Sequence, residues 1–370
     1  MKKIKFLILF MFVFLVGESY VSAKVVEEDY TLTDNLSEAV TVSGKTVTIN
    51  LNGYNIVSAT NGVLRASNGA VVTVKGTGII QSTAKNAIIV EGGSTVILES
   101  GTVKAQEFGV LVTNNSTFTM NDGTIETVDN CGVGGNGSDT DEYKGYTINI
   151  NGGTITGNIK TSGYISCGIY HPNKGTVNVT GGKIVSTKGA GIVQRAGILN
   201  ITGGEIVANG TSEGWVGDSK LKLPSSAIVV DRKANYPESA TLKTTVSSDA
   251  SLDSNDDVDI ITTIGDNVVV ELTGGVYTNE PEEEQIPDGY SAYQVIAGEN
   301  EDKYVVVKEN EIQVLVVDGI VPATEVEKEE VALVEKAIKD KYTLATYYEI
   351  DAIMVTPNDD VVGLVEETTD

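Results

Sequence analysis

The segment Ile148-Asn149-Ile150-Asn151-Gly152-Gly153-Thr154-Ile155 returns as Val177-Asn178-Val179-Thr180-Gly181-Gly182-Lys183-Ile184, and again as Leu199-Asn200-Ile201-Thr202-Gly203-Gly204-Glu205-Ile206. In each copy apolar and polar residues alternate, a Gly-Gly pair follows, and an apolar anchor closes the unit. Alternation with period two marks a half-buried strand, and paired glycines mark a corner. The pattern extends both ways. Upstream, Ile49 and Leu51 precede Ile56, Val72 and Val74 precede Ile79, Val96 and Leu98 precede Val103, and Phe118 and Met120 precede Ile125. Downstream, Val270 and Leu272 precede Tyr277. The anchors Ile56, Ile79, Val103, Ile125, Ile155, Ile184 and Ile206 lie 23, 24, 22, 30, 29 and 22 residues apart. A repeat in this range is the signature of a solenoid.

A second element keeps the same period: a small residue and two mostly apolar ones, as in Gly62-Val63-Leu64, Ala87-Ile88-Ile89, Gly109-Val110-Leu111, Gly168-Ile169-Tyr170, Gly191-Ile192-Val193 and Ala227-Ile228-Val229. A third short segment follows each anchor. Three strands and three turns per period predict an all-β, single-stranded parallel β-helix, each coil paired in backbone register with its neighbours. The leucine-rich frame that shares this period is absent. Val, Ile and Leu should form inward ladders, Thr and Asn should face water, and Gly should occupy corners that a Cβ would forbid. Cys131 and Cys167 each precede the Gly-apolar pair, so they should sit at equivalent places on adjacent coils. A stacked pair of small core residues is the simpler expectation there, because in-register neighbours rarely offer disulfide torsions. A disulfide after export stays open.

Composition agrees. Forty Gly, 6% aromatic and 41% hydrophobic residues favour strands and corners over helices. A net charge of −25 argues against nucleic acid and anionic lipid surfaces, which need clustered Lys and Arg. Two Cys exclude a disulfide scaffold and a four-Cys zinc site.

Residues 1–23 read as a secretory signal peptide: Lys2, Lys3 and Lys5, then an apolar run from Phe6 to Val16, then Val21-Ser22-Ala23. The run is short of the ~20 residues that span a bilayer, and the mature chain shows no other candidate span. The expected location is therefore secreted, extracellular or cell-wall associated. Residues 24–310 form the predicted β-helix with its caps. Residues 311–370 read as a small α/β segment, with a helix over 325–339 that could cap the coil's end.

Regularity breaks at three insertions, roughly 134–145, 158–166 and 208–226. Loops of a solenoid often carry its binding face. Tyr164, Tyr170, His171, Arg195, Trp215, Asp231 and Arg232 lie in or beside them. Aromatic faces beside hydrogen-bonding groups suit sugar rings. These residues are therefore the candidate ligand-binding set, with polysaccharide or a host-surface glycan as partner. The alternative is that the aromatics cover the loops' own apolar surface. Asp253, Asn255, Asp257 and Asp259 alternate hard oxygen ligands at a spacing that can wrap Ca²⁺. Val258 and Ile264 stand where an EF-hand needs Gly and Glu, so a solvated acidic loop without cofactor is the expectation.

The Gly-Gly-x-Ile repeats resemble the right-handed β-helix proteins of the pectin-lyase-like superfamily. Lys45 to Ile56, and Gly274 to Pro281 with Pro287-Asp288-Gly289-Tyr290, resemble the opening and closing segments of β-helix repeat proteins on Gram-positive bacterial surfaces. Residues 311–370 resemble the linker and first strands before an immunoglobulin-like module. The resemblance implies a right-handed coil and a non-catalytic adhesin-like or stalk role. The superfamily also holds polysaccharide lyases and hydrolases. For a lyase, Asp231 and Arg232 with Arg195 one coil earlier form the best cluster, its plainer reading being an exposed salt bridge. For a hydrolase, the Gly-His-Gly segment is missing, since His171 stands in Tyr170-His171-Pro172.

Overall fold

Branched Cβ atoms pack well on a pleated surface, so the Val, Ile and Thr runs favour extended backbone. Gly, Asn and Ser interrupt these runs after three to five residues, so the strands stay short and the chain turns a corner after each. The computed structural model describes residues 23–308, except 114, 137–144, 158–166, 211–213, 217–220, 224, 233–240, 256, 263–267, 296–299 and 301. At 214–216 and 221–223 it describes the backbone alone.

One turn consists of strands Val110–Val112, Thr117–Met120 and Thr124–Thr127. The next turn lies on it in parallel register, with Val110 on Val133, Phe118 on Ile148 and Ile125 on Ile155. Nine such turns, from Ala39–Ser43 to Val276–Tyr277, build three stacked parallel sheets, here the first, second and third in order around the turn. This is a parallel β-helix. At one interstrand spacing per turn its column is roughly 40 Å long. A partial turn precedes it: Ala23–Val25 pairs with Ala39–Ser43, Tyr30–Thr31 with Thr46–Asn50, and Leu36 bridges Ile56. The expected signal-peptide junction after Ala23 falls inside that edge strand.

The opposite end is closed by reversal of direction. Strands Tyr290–Gln294 and Tyr304–Lys308 form an antiparallel pair, and the latter runs antiparallel to Val276–Tyr277. The cap thus comes from 290–308. The predicted 311–370 segment lies outside the described residues. Among the described residues no helix is long and apolar enough to cross a membrane.

Inward residues form one continuous apolar core, with Val72, Val96, Phe118, Ile148, Val177 and Leu199 stacked along one ladder and fully buried. Two details differ from the repeat read in sequence. In the second turn the inward residue is Ile80, not Ile79: Ile80 pairs with Ile56 and Val103, and Ile79 faces outward. The eighth turn, with Leu242–Val246 and Ser251–Ser254, carries no obvious signature. Thr244 occupies an inward position, and Ser248 takes the left-handed corner (φ 54°) that Gly-Gly takes elsewhere.

The Gly-Gly pairs serve two requirements. The second glycine needs positive φ, 79° at Gly153, 81° at Gly182 and 87° at Gly204. The first needs its missing side chain: a Cβ on Gly152, Gly181 or Gly203 would stand 2.3, 2.5 or 2.7 Å from a backbone oxygen of the turn below. The small residue before each first-sheet strand has a third reason. A Cβ on Gly109, Gly132, Gly168 or Gly191 would meet Cγ2 of Ile125, Ile155, Ile184 or Ile206, the third-strand isoleucine of the same turn, at 2.2–2.4 Å. In these four turns glycine is what admits that methyl. Overpacking a core contact usually costs about 1–3 kcal/mol. Gly168→Ala should therefore lower the urea midpoint by a stability loss of that size, although Gly168 has no positive φ to strain.

Candidate functional site

The insertions bracket one surface. Residues 137–144 and 233–240 leave the corner between first and second sheets. Residues 158–166 and the stretch after Ala208 return at the corner between third and first. Both edges of the first sheet, in its fifth to eighth turns, therefore carry the long excursions. The outward residues there are largely covered, Tyr170 being half-buried and the others buried. Val193 and Val229 are buried and form a small apolar cluster with Cys131, Cys167 and Ala190, against which Phe108 and Tyr170 pack. Gly134 belongs to this arrangement, since a Cβ on it would overlap the Phe108 ring. The surface expected to carry the binding face is largely closed where it is described.

Cys131 and Cys167 form a disulfide with their Cα atoms 4.6 Å apart. The expectation of a stacked free pair is thus corrected. The two lie just before their strands, where the backbone is leaving a corner and is freer to present both Sγ atoms to one another than a ladder position would be.

The candidate binding residues divide. Tyr164 lies outside the described residues, and Trp215 lies on strand Gly214–Val216, paired antiparallel with Leu221–Leu223. Tyr170 is outward and half-buried in the apolar cluster. His171, one residue on, points inward and is fully buried. Arg195 and Asp231 do lie one turn apart, as expected, and they pair: Nη2 meets a carboxylate oxygen at 3.0 Å, and Nε donates to the Asp231 carbonyl at 3.1 Å. The expected exposed salt bridge is instead a buried one, the side chains 1% and 6% exposed. Arg232 beside it is half-buried. A lyase base must reach polymer, and the Arg195 guanidinium is enclosed and engaged by Asp231.

The interior around His171 is a feature the sequence reading missed. Val90, Val112, Gly135, His171, Gln194 and Val230 share one inward ladder. Gly135 leaves a void that the Tyr146 ring fills, since a Cβ there would stand 1.8 Å from the ring. The Tyr146 hydroxyl lies 2.6 Å from His171 Nδ1, ring edge on ring face. Gln194 donates to the carbonyls of Gly197 and Lys243 and accepts from Thr244. Burial lowers the His171 pKa to about 3, with the Ile198 backbone opposing part of the shift. The signal was available in parity: Ile169 in, Tyr170 out, His171 in.

The four metal candidates do not converge. Asp259 accepts from the Asn279 backbone N–H at 2.7 Å and the Asn279 amide at 3.4 Å, while Asp253 accepts from Thr278 at 3.1 Å. Desolvation raises the Asp259 pKa against those bonds. Asn255 donates to Gly210 and Asp257 is exposed. Among the described residues no three metal-ligating side chains gather.

The open surface is the second sheet. Thr95, Thr117, Thr147 and Thr176 form one outward column, and Thr119, Asn149, Asn178 and Asn200 form the next. Asn200 donates to Asn178 at 3.0 Å, Asn178 to Asn149 at 2.9 Å and Asn149 to Thr119 at 3.2 Å. A parallel ladder runs from Thr180 to Asn151, Asn121 and Glu99 at 3.0, 2.8 and 3.0 Å. A hydroxyl and amide lattice of this kind can hydrogen-bond a polyhydroxylated chain but cannot do acid–base chemistry near neutral pH. No family model, curated protein or solved structure matches this chain.

Two predictions follow from this geometry. Replacing both cysteines by Ala should destabilise the protein by about 4 kcal/mol on chain-entropy grounds for a separation of 36 residues, measured by urea titration against the oxidised wild type. Below pH 6.5 the unfolded His171 takes up a proton that the folded chain refuses until about pH 3, so stability is lost as pH falls through that window. Between pH 6.5 and 5 the wild type should lose about 2 kcal/mol more than His171→Gln does, read from paired denaturation curves.

Proposed function

We propose that this chain is an exported, cell-surface or secreted β-helix rod that binds glycan or a host surface without turnover and holds that surface away from its anchor. The observation carrying this reading is the state of its best catalytic constellation. Arg195 and Asp231 form a closed, buried ion pair rather than a solvent-facing acid and base. One open side of the column, the second sheet, is instead an array of Thr and Asn. The signal-like leader, the acidic charge and the disulfide all suit life outside the cytosol. The resemblance to Gram-positive surface repeats and to the pectin-lyase-like superfamily is part of this proposal.

The second reading, a polysaccharide lyase or hydrolase, is kept by the excursions that bracket the first sheet. A glycan array probed with the purified exported chain, with unsaturated-uronide and reducing-end release measured in parallel, separates the two. Retention without product is expected. Product release that disappears in Arg232→Ala would overturn the non-catalytic reading. Arg232 is chosen because removing one partner of the Arg195–Asp231 pair costs about 3–5 kcal/mol and would confound the assay.

A further inference from the structure

We propose that the second sheet, over its fourth to seventh turns, is a docking face for an extended, uncharged polysaccharide. The proposal rests on the glycan-binding reading above and assigns its site, which is not the loop cluster that the sequence suggested.

The face is a lattice with two fixed spacings. Successive rows are one interstrand distance apart, about 4.8 Å, and alternate outward residues along a strand are about 6.6 Å apart. Row by row it presents Thr117, Thr119 and Asn121, then Thr147, Asn149 and Asn151, then Thr176, Asn178 and Thr180, and Asn200 above them. All of these are half-buried or exposed.

Charge selects the ligand class. One residue in five of the chain is charged, at 21%, and the net charge is −25. Yet these rows hold no ionisable group. Charge resumes at the rim, with Glu99 and Asp122 on one side and the Lys243–Glu271 pair at the far end. A polyanion would meet a strongly acidic protein with no cation on this face. A cation would find no carboxylate within it. A neutral polyol loses least by leaving water here, because apart from Ile198, which stands on Thr176, every group it meets can both donate and accept.

Order in the side chains adds to this. Asn121, Asn149, Asn151 and Asn178 each have the amide plane set by the bond they donate to the turn below and the bond they accept from above, and Asn200 donates to Asn178. A carboxamide has two N–H donors and two lone pairs, so one of each is used and the others project at coil spacing. The donors all point toward the N-terminal end, giving the ladder a polarity along the column. Groups held in place before binding lose little rotamer entropy on binding, and a periodic face multiplies that saving for a periodic polymer. The Thr column beside it adds one hydroxyl and one methyl per turn, matching the mixed hydroxyl and C–H faces of a sugar ring.

The first-sheet surface lacks these properties. Of its outward residues in the fifth to eighth turns, Gly134, Val193 and Val229 are buried and Tyr170 is half-buried, and its polar pair is closed.

The test is retention of the purified exported chain on insoluble cellulose and chitin, with polygalacturonate as the acidic comparison. Wild type, Thr147→Lys, the isosteric pair Thr147→Val with Thr176→Val, and Thr156→Lys on the third sheet are compared, each checked for an unchanged circular dichroism spectrum. The expected result is retention on a neutral polymer, at least tenfold weaker in Thr147→Lys, about threefold weaker in the valine pair, and unchanged in Thr156→Lys. The valine pair keeps side-chain volume and so guards against a folding defect in the lysine variant. Equal retention of all four proteins would overturn the assignment of this face while leaving glycan binding intact. Preference for polygalacturonate would overturn the charge argument. No retention on any polymer, together with a blank glycan array, would overturn both this inference and the reading it rests on.

Discussion

Every feature of this molecule depends on one constraint: each inward side chain must rest on the side chain one turn below, in register, while the backbones pair. Phe118 on Ile148 and Ile125 on Ile155 are ordinary apolar contacts, but they are repeated at every turn, so a change in one turn is felt by both neighbours. The glycines obey the same constraint. Gly152, Gly181 and Gly203 are bare because the carbonyl of the turn below occupies the space a Cβ needs. Gly132 and Gly168 are bare because an isoleucine methyl does. Strand parity then settles the exterior without further instruction: what alternates with the ladder faces out.

The middle of the column bends these rules in a coordinated way. Gly135 gives up its place in a ladder to the Tyr146 ring, His171 and Gln194 enter the interior, and Thr244 joins them. Over the same turns the outer side of the first sheet is closed, the disulfide links two neighbouring turns, and the long excursions depart. A buried neutral imidazole and a buried ion pair are costly unless their partners are in place. Here Tyr146 meets the one and Asp231 enclosed with Arg195 makes the other. A solenoid can carry such a region because turns at either end do not touch it. The second sheet keeps its strand pairing through the same turns, so its Asn column runs unbroken from Asn149 to Asn200, while its Thr column ends where Ile198 stands on Thr176.

Much of this was legible in the residues. The period, the three strands per turn and the inward Val, Ile and Leu came from spacing and alternation, and the corner glycines came from their pairing. The first strand of the eighth turn was read from Ala227-Ile228-Val229, but its second and third were not legible, because Thr244 and Ser248 stand where their neighbours show an aliphatic residue and a glycine. Ile79 and Ile80 are equally apolar, so only pairing with Ile56 and Val103 could choose between them. Of the candidate site, the neighbourhood of Arg195 and Asp231 could be counted out along the chain, but their burial could not.

By itself the sequence determined that the chain would coil, because a period of short alternating strands has no other way to bury its apolar face along its whole length. It also determined which residues would alternate outward. Only the tertiary structure decided which outward residues meet water. Exposure depends on what packs over a strand, and alternation along the chain does not encode that. The Thr and Asn rows and the Val193–Val229 rows obey the same parity, yet the first remain open and the second are shut, because Phe108, Tyr170 and the Cys131–Cys167 pair pack over the first sheet.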